Sequence, residues 1–141
     1  MAEDQGLNAI DKAVATALEA AAIIALVPAV RHWNMVVPTD EDTWPVIVFG
    51  FFDSDNEAMA FSTDAQSMLY TIKAIAKGAT DVGNPGEIAA EIDTVFHRGT
   101  LSPTGQTVYG VHRQRHLSFI EHDEGNTPYV HRGAVYKIWV N

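Results

Sequence analysis

The stretch that decides the fold is VIVFGFF, residues 46–52, which follows Trp44-Pro45 and is almost continuously apolar. A short apolar run with no polar alternation is typical of a strand that is covered on both faces. Such a strand needs other elements packed above and below it. We therefore predict that residues 46–52 form an interior strand of a sheet on which helices pack.

Two stretches have the three-and-four spacing of apolar residues that indicates an amphipathic helix. The first is residues 7–27, where Asn8 or Asp4 can cap the start and Pro28 lies near the end; its apolar stripe is Leu7, Ile10, Val14, Leu18, Ala21 and Ala25. The second is residues 85–97, where Asn84 caps and Glu87 completes a capping box. Its predicted buried stripe is Ile88, Ile92, Val95 and Phe96.

The rest of the pattern predicts strands and loops. Residues 30–37 are rich in β-formers, residues 66–76 alternate, and residues 108–121 and 129–141 form a hairpin. Residues 38–45 and 53–66 are acidic and are predicted to be loops. The order is helix, three strands, helix, two strands. It predicts an α+β fold in one domain, residues 1–141, with a single antiparallel or mixed β-sheet packed against an N-terminal helix and a second helix.

Composition narrows the class of protein. The chain has 141 residues and no cysteine, which excludes a disulfide framework, thiolate zinc sites and a cysteine nucleophile. The most apolar run, residues 20–30, is too short to cross a bilayer, and the N-terminus is acidic, unlike a secretory signal. We therefore expect a soluble protein that does not contact a membrane.

The charge is unevenly distributed along the chain. Residues 1–64 hold eleven acids and two bases, whereas residues 65–141 hold seven of each. Nonspecific binding to duplex DNA requires clustered lysine and arginine, so this charge distribution argues against such binding. The acids either form a solvated face or meet a complementary surface on a neighbour.

The stretch VHRQRH, residues 111–116, is the strongest candidate for a site. A zinc protease needs HExxH on a helix, and here arginines stand between His112 and His116. On a strand, residues four apart lie about 13 Å from each other, so these two cannot share a metal, although each could pair with His122 or His131. Alternation predicts one side with Val111, Arg113, Arg115, Leu117 and Phe119, and another with His112, Gln114, His116 and Ser118. We favour a polar strand surface that contacts a partner, with a metal site as the alternative.

Other catalytic patterns are missing from the sequence. There is no GxSxG nucleophile elbow, and GATDVGNPGE, residues 78–87, lacks the lysine of a phosphate loop. The acids of residues 40–42 lack the twelve-residue calcium loop. The sequence therefore predicts no catalytic residue, no cofactor and no metal ligand, and a protein that is not an enzyme.

Five residues are candidates for contacts with other proteins. A partly exposed tryptophan before a strand suits an interface, and apolar residues in an acidic segment are typical of docking surfaces. Two arginines on a strand surface add charge. The candidates are Trp44, Met59, Phe61, Arg113 and Arg115.

With its elements in this order, the chain resembles the tail terminator (tail-completion) proteins of long-tailed bacteriophages. The resemblance covers nearly the whole chain and rests on element order and hydrophobic pattern, because the family has no diagnostic motif. It is carried by the N-terminal helix and by WPVIVFG (44–50), MLYTIKAIA (68–76), EIAAEIDTVF (87–96) and YKIWV (136–140).

The resemblance implies a structural virion protein of the tail or neck, assembled in the host cytoplasm. Such proteins form a ring, usually a hexamer, that caps the tail tube, ends its polymerisation and joins the tail to the head. The implied partners are other copies of the chain, the tail tube protein, a head-proximal neck or connector protein, and DNA that passes through the channel without specific binding. The family has no catalytic residues.

A ring that passes DNA adds an expectation about the acids of the first half of the chain. A basic lumen would bind phosphate, whereas an acidic one lets DNA slide, so acids should face the channel, and Arg113 and Arg115 should point away from it. The candidate acids are Asp40, Glu41, Asp42, Asp53, Asp55 and Glu57. The alternatives are another neck protein, such as a head-closure or stopper subunit, and a small metal-dependent enzyme that uses the histidine-rich hairpin.

Overall fold

The residues that the structure describes form one mixed β-sheet of five strands with helices packed against it, which confirms the predicted α+β class. The computed structural model describes residues 8–58, 64–78 and 84–140, with side chains for all of these except residues 52–58 and 64–66. The elements in chain order are α1 (Ala9–Ala17), α2 (Ala21–Ile24), a 3-10 turn (Ala29–Arg31), β1 (His32–Asn34), β2 (Val46–Ala58), β3 (Asp64–Lys77), α3 (Asn84–Phe96), β4 (Val108–His122) and β5 (Pro128–Val140).

The strands lie in the order β1-β2-β3-β5-β4. The short strand β1 is parallel to β2, and every other neighbouring pair is antiparallel. The helices pack on one face, which we call the helix-covered face, and we call the other the open face. The core of the helix-covered face joins the helices to the alternate strand positions Ile47, Phe49, Tyr70, Ile72, Ala74, Ala134, Tyr136 and Ile138. The predicted alternation of residues 66–76 is thereby confirmed, since Tyr70 and Ile72 are fully buried together.

Two tyrosines at the centre of the sheet fasten the helices to it. Tyr70 of β3 and Tyr136 of β5 are register partners, and both are buried. Tyr70 donates its hydroxyl hydrogen to the carboxylate of Asp11 in α1, and Tyr136 donates to Asp93 in α3 at 3.0 Å. Burial first, and then the neighbouring carboxylate, raises the pKa of each tyrosine. Each helix is therefore held at one position along its length by a neutral hydroxyl paired with a carboxylate.

The predicted helix of residues 7–27 is wrong in its length, because the helix breaks at Ala20. Asn8 caps α1 as predicted, in a capping box with Asp11. At Ala20 the backbone becomes extended (φ −56°, ψ 142°) before the chain turns into α2. An unbroken helix would bury Ala21 and Ala25, both of which are exposed. The break instead turns the larger Ile23 and Val27 into the core, which buries more apolar surface.

Strand limits also differ from the predictions. Residues 30–37 form only the three-residue β1, preceded by a 3-10 turn. Residues 53–66 were predicted as a loop, but residues 53–58 extend β2 and residues 64–66 begin β3, with Asp53 to Ala58 in register with Leu69 to Asp64. The acidic composition predicted a solvated loop, but the backbone pairing of β2 with β3 extends both strands into this segment. Residues 46–50 are buried as predicted, whereas Phe51 is 41% exposed.

The remaining elements lie close to their predicted ranges. α3 ends at Phe96, with Ile88, Ile92 and Phe96 buried, and the β4–β5 hairpin spans the predicted strands within about a residue at each end. No helix of the described ranges is long and apolar enough to cross a bilayer.

Candidate functional site

The edge strand β4 contains two irregularities that change which side chains share a face. The register of β4 on β5 shifts between Val108 and Gly110 and again between Arg113 and Arg115. The second shift makes Gln114 an extra residue, so the alternation reverses beyond it. Arg113 lies opposite Tyr136 of the helix-covered face, and Arg115 lies opposite Val135 of the open face. The prediction that both arginines share one face is therefore wrong.

Arg113 binds a carboxylate of its own subunit. Its guanidinium forms an ion pair with Asp93 of α3 at 2.5 Å, and the same carboxylate accepts the hydroxyl hydrogen of Tyr136. About a quarter to a third of each side chain, 29% for Arg113 and 27% for Asp93, is exposed. Arg115 is exposed and forms no ion pair within the described ranges. Of the two arginines, Arg115 is the one whose charge is available to another molecule.

The same bulge separates the two histidines of VHRQRH. His112 lies on the open face, with its ring 5.4 Å from that of Trp139, and His116 lies opposite Ala134 beside α3. They are on opposite faces and cannot bind one metal. Among the described residues, no three histidine or carboxylate side chains are grouped as a metal would require. The geometry therefore gives the histidine-rich hairpin no metal centre in these ranges.

His131 lies in a packed polar cluster on the open face that the sequence did not reveal. Its ring stacks on Phe119 at 4.3 Å and 14°, and its Nε2 lies 2.7 Å from Glu121 Oε1. The Nζ atom of Lys73 lies 5.1 Å from the centre of the Phe119 ring. Burial, with a smaller effect of Lys73, lowers the pKa of His131 to about 4 against the opposing effect of Glu121. At neutral pH the imidazole is therefore uncharged, so its close contact with Glu121 is not an ion pair.

Trp44 packs on its own sheet. The ring meets Tyr129 edge to face at 5.3 Å and joins a small second core on the open face with Val46, Val48 and Ile75. The loop after β1 thus covers one end of this face. Trp44 is only half-buried, and its role at an interface stays a prediction. The candidates Met59 and Phe61 lie outside the described residues.

The predicted channel acids occupy two different settings. Asp40 and Asp42 are exposed in the loop before β2, and Glu41 is half-buried. Thr43 fixes this loop through a backbone donor to Glu41 at 2.9 Å and a hydroxyl donor to Asp42 at 3.1 Å. The other three acids, Asp53, Asp55 and Glu57, belong to β2 and not to a loop, and they pair with Leu69, Ser67 and Ala65 of β3.

Two clefts can be examined for a catalytic grouping among the described residues. One, of about 660 Å³, lies between α1 and residues 100–104 and is lined mostly by small and hydroxyl-bearing residues around Lys12. A second, about 410 Å³, lies between α3 and the β4–β5 hairpin, where Asp93 is already bound to Arg113 and Tyr136. In neither cleft does a hydrogen bond join a serine or threonine hydroxyl to a lysine or histidine among the described side chains.

The outer edge of β4 is closed along its first half and open along its second. The residues that follow α3 close it: the backbone N–H of Arg113 donates to His97 Nδ1 at 3.0 Å, and the N–H of Arg98 donates to the Val111 carbonyl at 2.8 Å. Beyond the bulge, the described residues place no partner on the outer side of Arg115–His122. One sign of this cap is visible in the sequence: Gly99 follows the end of α3, where an added Cβ would lie 2.2 Å from the Val95 carbonyl oxygen.

Comparison with solved structures shows a likeness in fold. The fold is similar to that of a chain in the virion of a native gene transfer agent particle, with a TM-score of 0.70 over 94% of each chain and 17% sequence identity. No family model matches the sequence, and no curated protein matches it. A likeness at this identity shows that the two chains share a fold.

Proposed function

We propose that the protein is a structural virion component that forms a ring, most simply a hexamer, at the end of a phage-like tail tube. There it would end tube polymerisation and join the tail to the head. The observation that carries the proposal is the likeness over 94% of both chains to a chain of a gene transfer agent virion. It agrees with the resemblance to tail terminators that the order of elements suggests.

The chemistry of the surface supports an assembly role. The described clefts contain no nucleophile paired with a base, and the polar side chains Arg113, Asp93, Tyr136 and Tyr70 serve the packing of the fold. Large apolar side chains are nevertheless exposed on the strands and on the loop around β1, among them Val30, Met35, Val36, Phe51 and Ile120. Exposed apolar residues on a small protein favour contacts with other proteins.

The proposed partners are other copies of the chain, the tail tube protein and a head-proximal neck or connector protein. Trp44, Met59, Phe61 and Arg115 are the proposed contact residues, while Arg113 acts through α3. DNA would pass without specific binding, past the acids Asp40, Glu41, Asp42, Asp53, Asp55 and Glu57. Arg115 lies on the open face, so its charge must be neutralised by a neighbour if that face lines the channel.

The ring is tested by native mass spectrometry and negative-stain imaging of the purified protein. We expect a closed oligomer of the 15.4 kDa subunit with a central hole. A monomer at high concentration would contradict the proposal. Met59→Ser with Phe61→Ser should weaken assembly without moving the melting temperature of the monomer, and a large loss of monomer stability would place both residues in the core instead.

The position in the virion is tested with the cognate tail tube protein. Adding the ring during tube polymerisation should shorten the tubes and leave one ring at a tube end. A ring that binds the portal side of the neck but never a tube end would identify a head-closure or stopper protein instead.

A further inference from the structure

The backbone groups on the open part of the β4 edge can be identified from the register. Pro128 lies opposite His122, and its carbonyl accepts a hydrogen bond from Gly78 N–H on the β3 side at 2.8 Å. The backbone of Pro128 therefore faces away from β4, so His122 opposite it also points outward. The register is unbroken back to Arg115. Alternation then gives the outward-pointing residues of this stretch, all of them exposed: His116, Ser118, Ile120 and His122.

The opposite edge of the sheet has an open stretch of the same length. The Phe49 carbonyl of β2 accepts from Met35 N–H at 2.9 Å on the β1 side, and the pairing with β1 goes no further than Asn34. From Phe51 to Ala58, no described residue lies on the outer side of β2. The register shift between Phe51 and Asp53 adds one residue. Beyond it, the outward-pointing backbone groups belong to Ser54, Asn56 and Ala58.

We propose that residues 115–122 of β4 bind residues 51–58 of a second copy of the chain as an added antiparallel strand. This pairing would be the subunit contact of the ring, and in that respect it rests on the proposed function. Strands β2, β3, β5 and β4 alternate in direction, so a copy placed beside β4 in the same orientation presents its β2 antiparallel. A head-to-tail contact of this kind uses both edges of every subunit and closes into a ring.

One register satisfies both the backbone and the side chains. Hydrogen-bonded pairs require outward-pointing residues on both strands, which sets Ser118 opposite Ser54 of the second copy and His116 opposite Asn56. Arg115 then lies opposite Glu57. Because Phe52 is the extra residue of the β2 register shift, Ile120 then comes opposite Phe51, and Glu121, the one carboxylate of residues 115–122, lies beyond it and away from the acids.

Charge and exposure favour a second copy as the occupant. Residues 51–58 hold three acids and no base, whereas residues 115–120 hold Arg115 and His116 and no acid. At the other end of the pairing, Ile120 is 60% exposed and Phe51 is 41% exposed, so apolar surface meets apolar surface. The ladder would also remove two unpaired strand edges, which in a free subunit invite aggregation.

Cross-linking tests the register directly, because the chain has no cysteine of its own. We expect Ser54→Cys with Ser118→Cys to give, with a short thiol cross-linker, a covalent ladder that stops at the size of the ring. The control is Ser102→Cys with Ser118→Cys, since Ser102 is exposed in the loop after α3; it should give no ladder. Rings that form but are linked by neither this pair nor Asn56→Cys with Ser118→Cys would overturn the strand pairing and leave the proposed function standing. Absence of rings in the parent protein would overturn both.

Two substitutions test the backbone and charge contributions separately. Proline is tolerated on an edge strand where its nitrogen faces outward, so Ser118→Pro should keep the monomer folded and abolish rings, while Ser118→Ala should assemble. Arg115→Glu should raise the concentration needed for assembly by about tenfold or more. The control Arg98→Glu should leave that concentration unchanged. Combining Arg115→Glu with Glu57→Arg should restore the parent's value. A Ser118→Pro protein that assembles like its parent would contradict the proposal, and if that variant does not fold, the cross-linking result decides.

Discussion

The two faces of the sheet are stabilised in different ways. The helix-covered face has a continuous core in which Phe49, Tyr70, Ile72 and Tyr136 are fully or almost fully buried, and its polar contacts are neutral tyrosine hydroxyls paired with helix carboxylates. The open face has a small apolar core at one end and, beside it, the charged and aromatic cluster around His131. We infer from this difference that the helix-covered face supplies the stability, whereas the open face carries charged side chains that a partner can contact.

The largest expected effect tests the core of the helix-covered face. Phe49→Ala should lower the free energy of unfolding by about 3–5 kcal/mol, because it leaves a cavity at a fully buried position. Phe51→Ala, two residues along the same strand and 41% exposed, should cost less than about 1 kcal/mol. Urea unfolding of the two variants measures the contrast, and equal losses would mean that β2 is covered alike along its length.

The next effect concerns the pH dependence of the open face. Burial holds the pKa of His131 at about 4, below its ordinary value of 6.5, so the unfolded chain binds a proton between these values that the folded chain does not. Stability should therefore fall as the pH drops from about 6.5 to 4, by roughly 2–3 kcal/mol for this group. His131→Phe should flatten that part of the curve of unfolding free energy against pH. An unchanged curve would show that the imidazole is accessible in the fold.

The two tyrosine–carboxylate pairs should differ in strength. Tyr70→Phe should cost about 2 kcal/mol, because Asp11 is buried and keeps only a long contact of 3.4 Å from Asn8 N–H. Tyr136→Phe should cost about 1 kcal/mol, since Asp93 retains Arg113. Thermal unfolding of both variants tests the order, and a larger loss for Tyr136→Phe would make α3 the more tightly fastened helix.

The smallest effect is expected at Lys73. Burial lowers the pKa of this lysine against the opposing effect of Glu121, so its charge is poorly solvated in the fold and is only partly compensated by Glu121 and the nearby Phe119 ring. Lys73→Met should change the unfolding free energy by less than about 1 kcal/mol. It should also raise the pKa of His131, because Lys73 disfavours the protonated imidazole. A proton NMR titration of His131 in the variant measures the shift, and a pKa that stays in place would rule out this coupling.

The sequence predicted the fold class, α3, the β4–β5 hairpin and the buried start of β2, because apolar periodicity follows directly from which side chains leave water. It did not predict the break at Ala20 or the bulge at Gln114. At Ala20 the departure from regular periodicity brings the larger Ile23 and Val27 into the core. At Gln114 the departure moves Arg115 to the open face while Arg113 stays on the covered side. Tertiary packing determines such departures, so the spacing of apolar residues along the chain does not predict them.

The candidate site was predictable only in part. The arginines and the acids were identified by their charge, but their faces depend on the bulges in β4 and β2, and the extension of β2 beyond residue 52 depends on its pairing with β3. The cluster of Lys73, Phe119, Glu121 and His131 draws on three strands, and no local motif marks it.

The bond between Asp11 and Tyr70 has a consequence for the order in which the chain folds. It joins residues 59 positions apart, and a nine-residue helix such as α1 is marginal in water on its own. During synthesis α1 leaves the ribosome well before β3, so the hydroxyl that fastens Asp11 is absent until Tyr70 has emerged. The pairing of β3 with β5 needs still more of the chain, which makes closure of the sheet a late and slow step. Until then the core of the helix-covered face lacks Ala134, Tyr136 and Ile138, and a subunit becomes competent to assemble only after its last strand is in place.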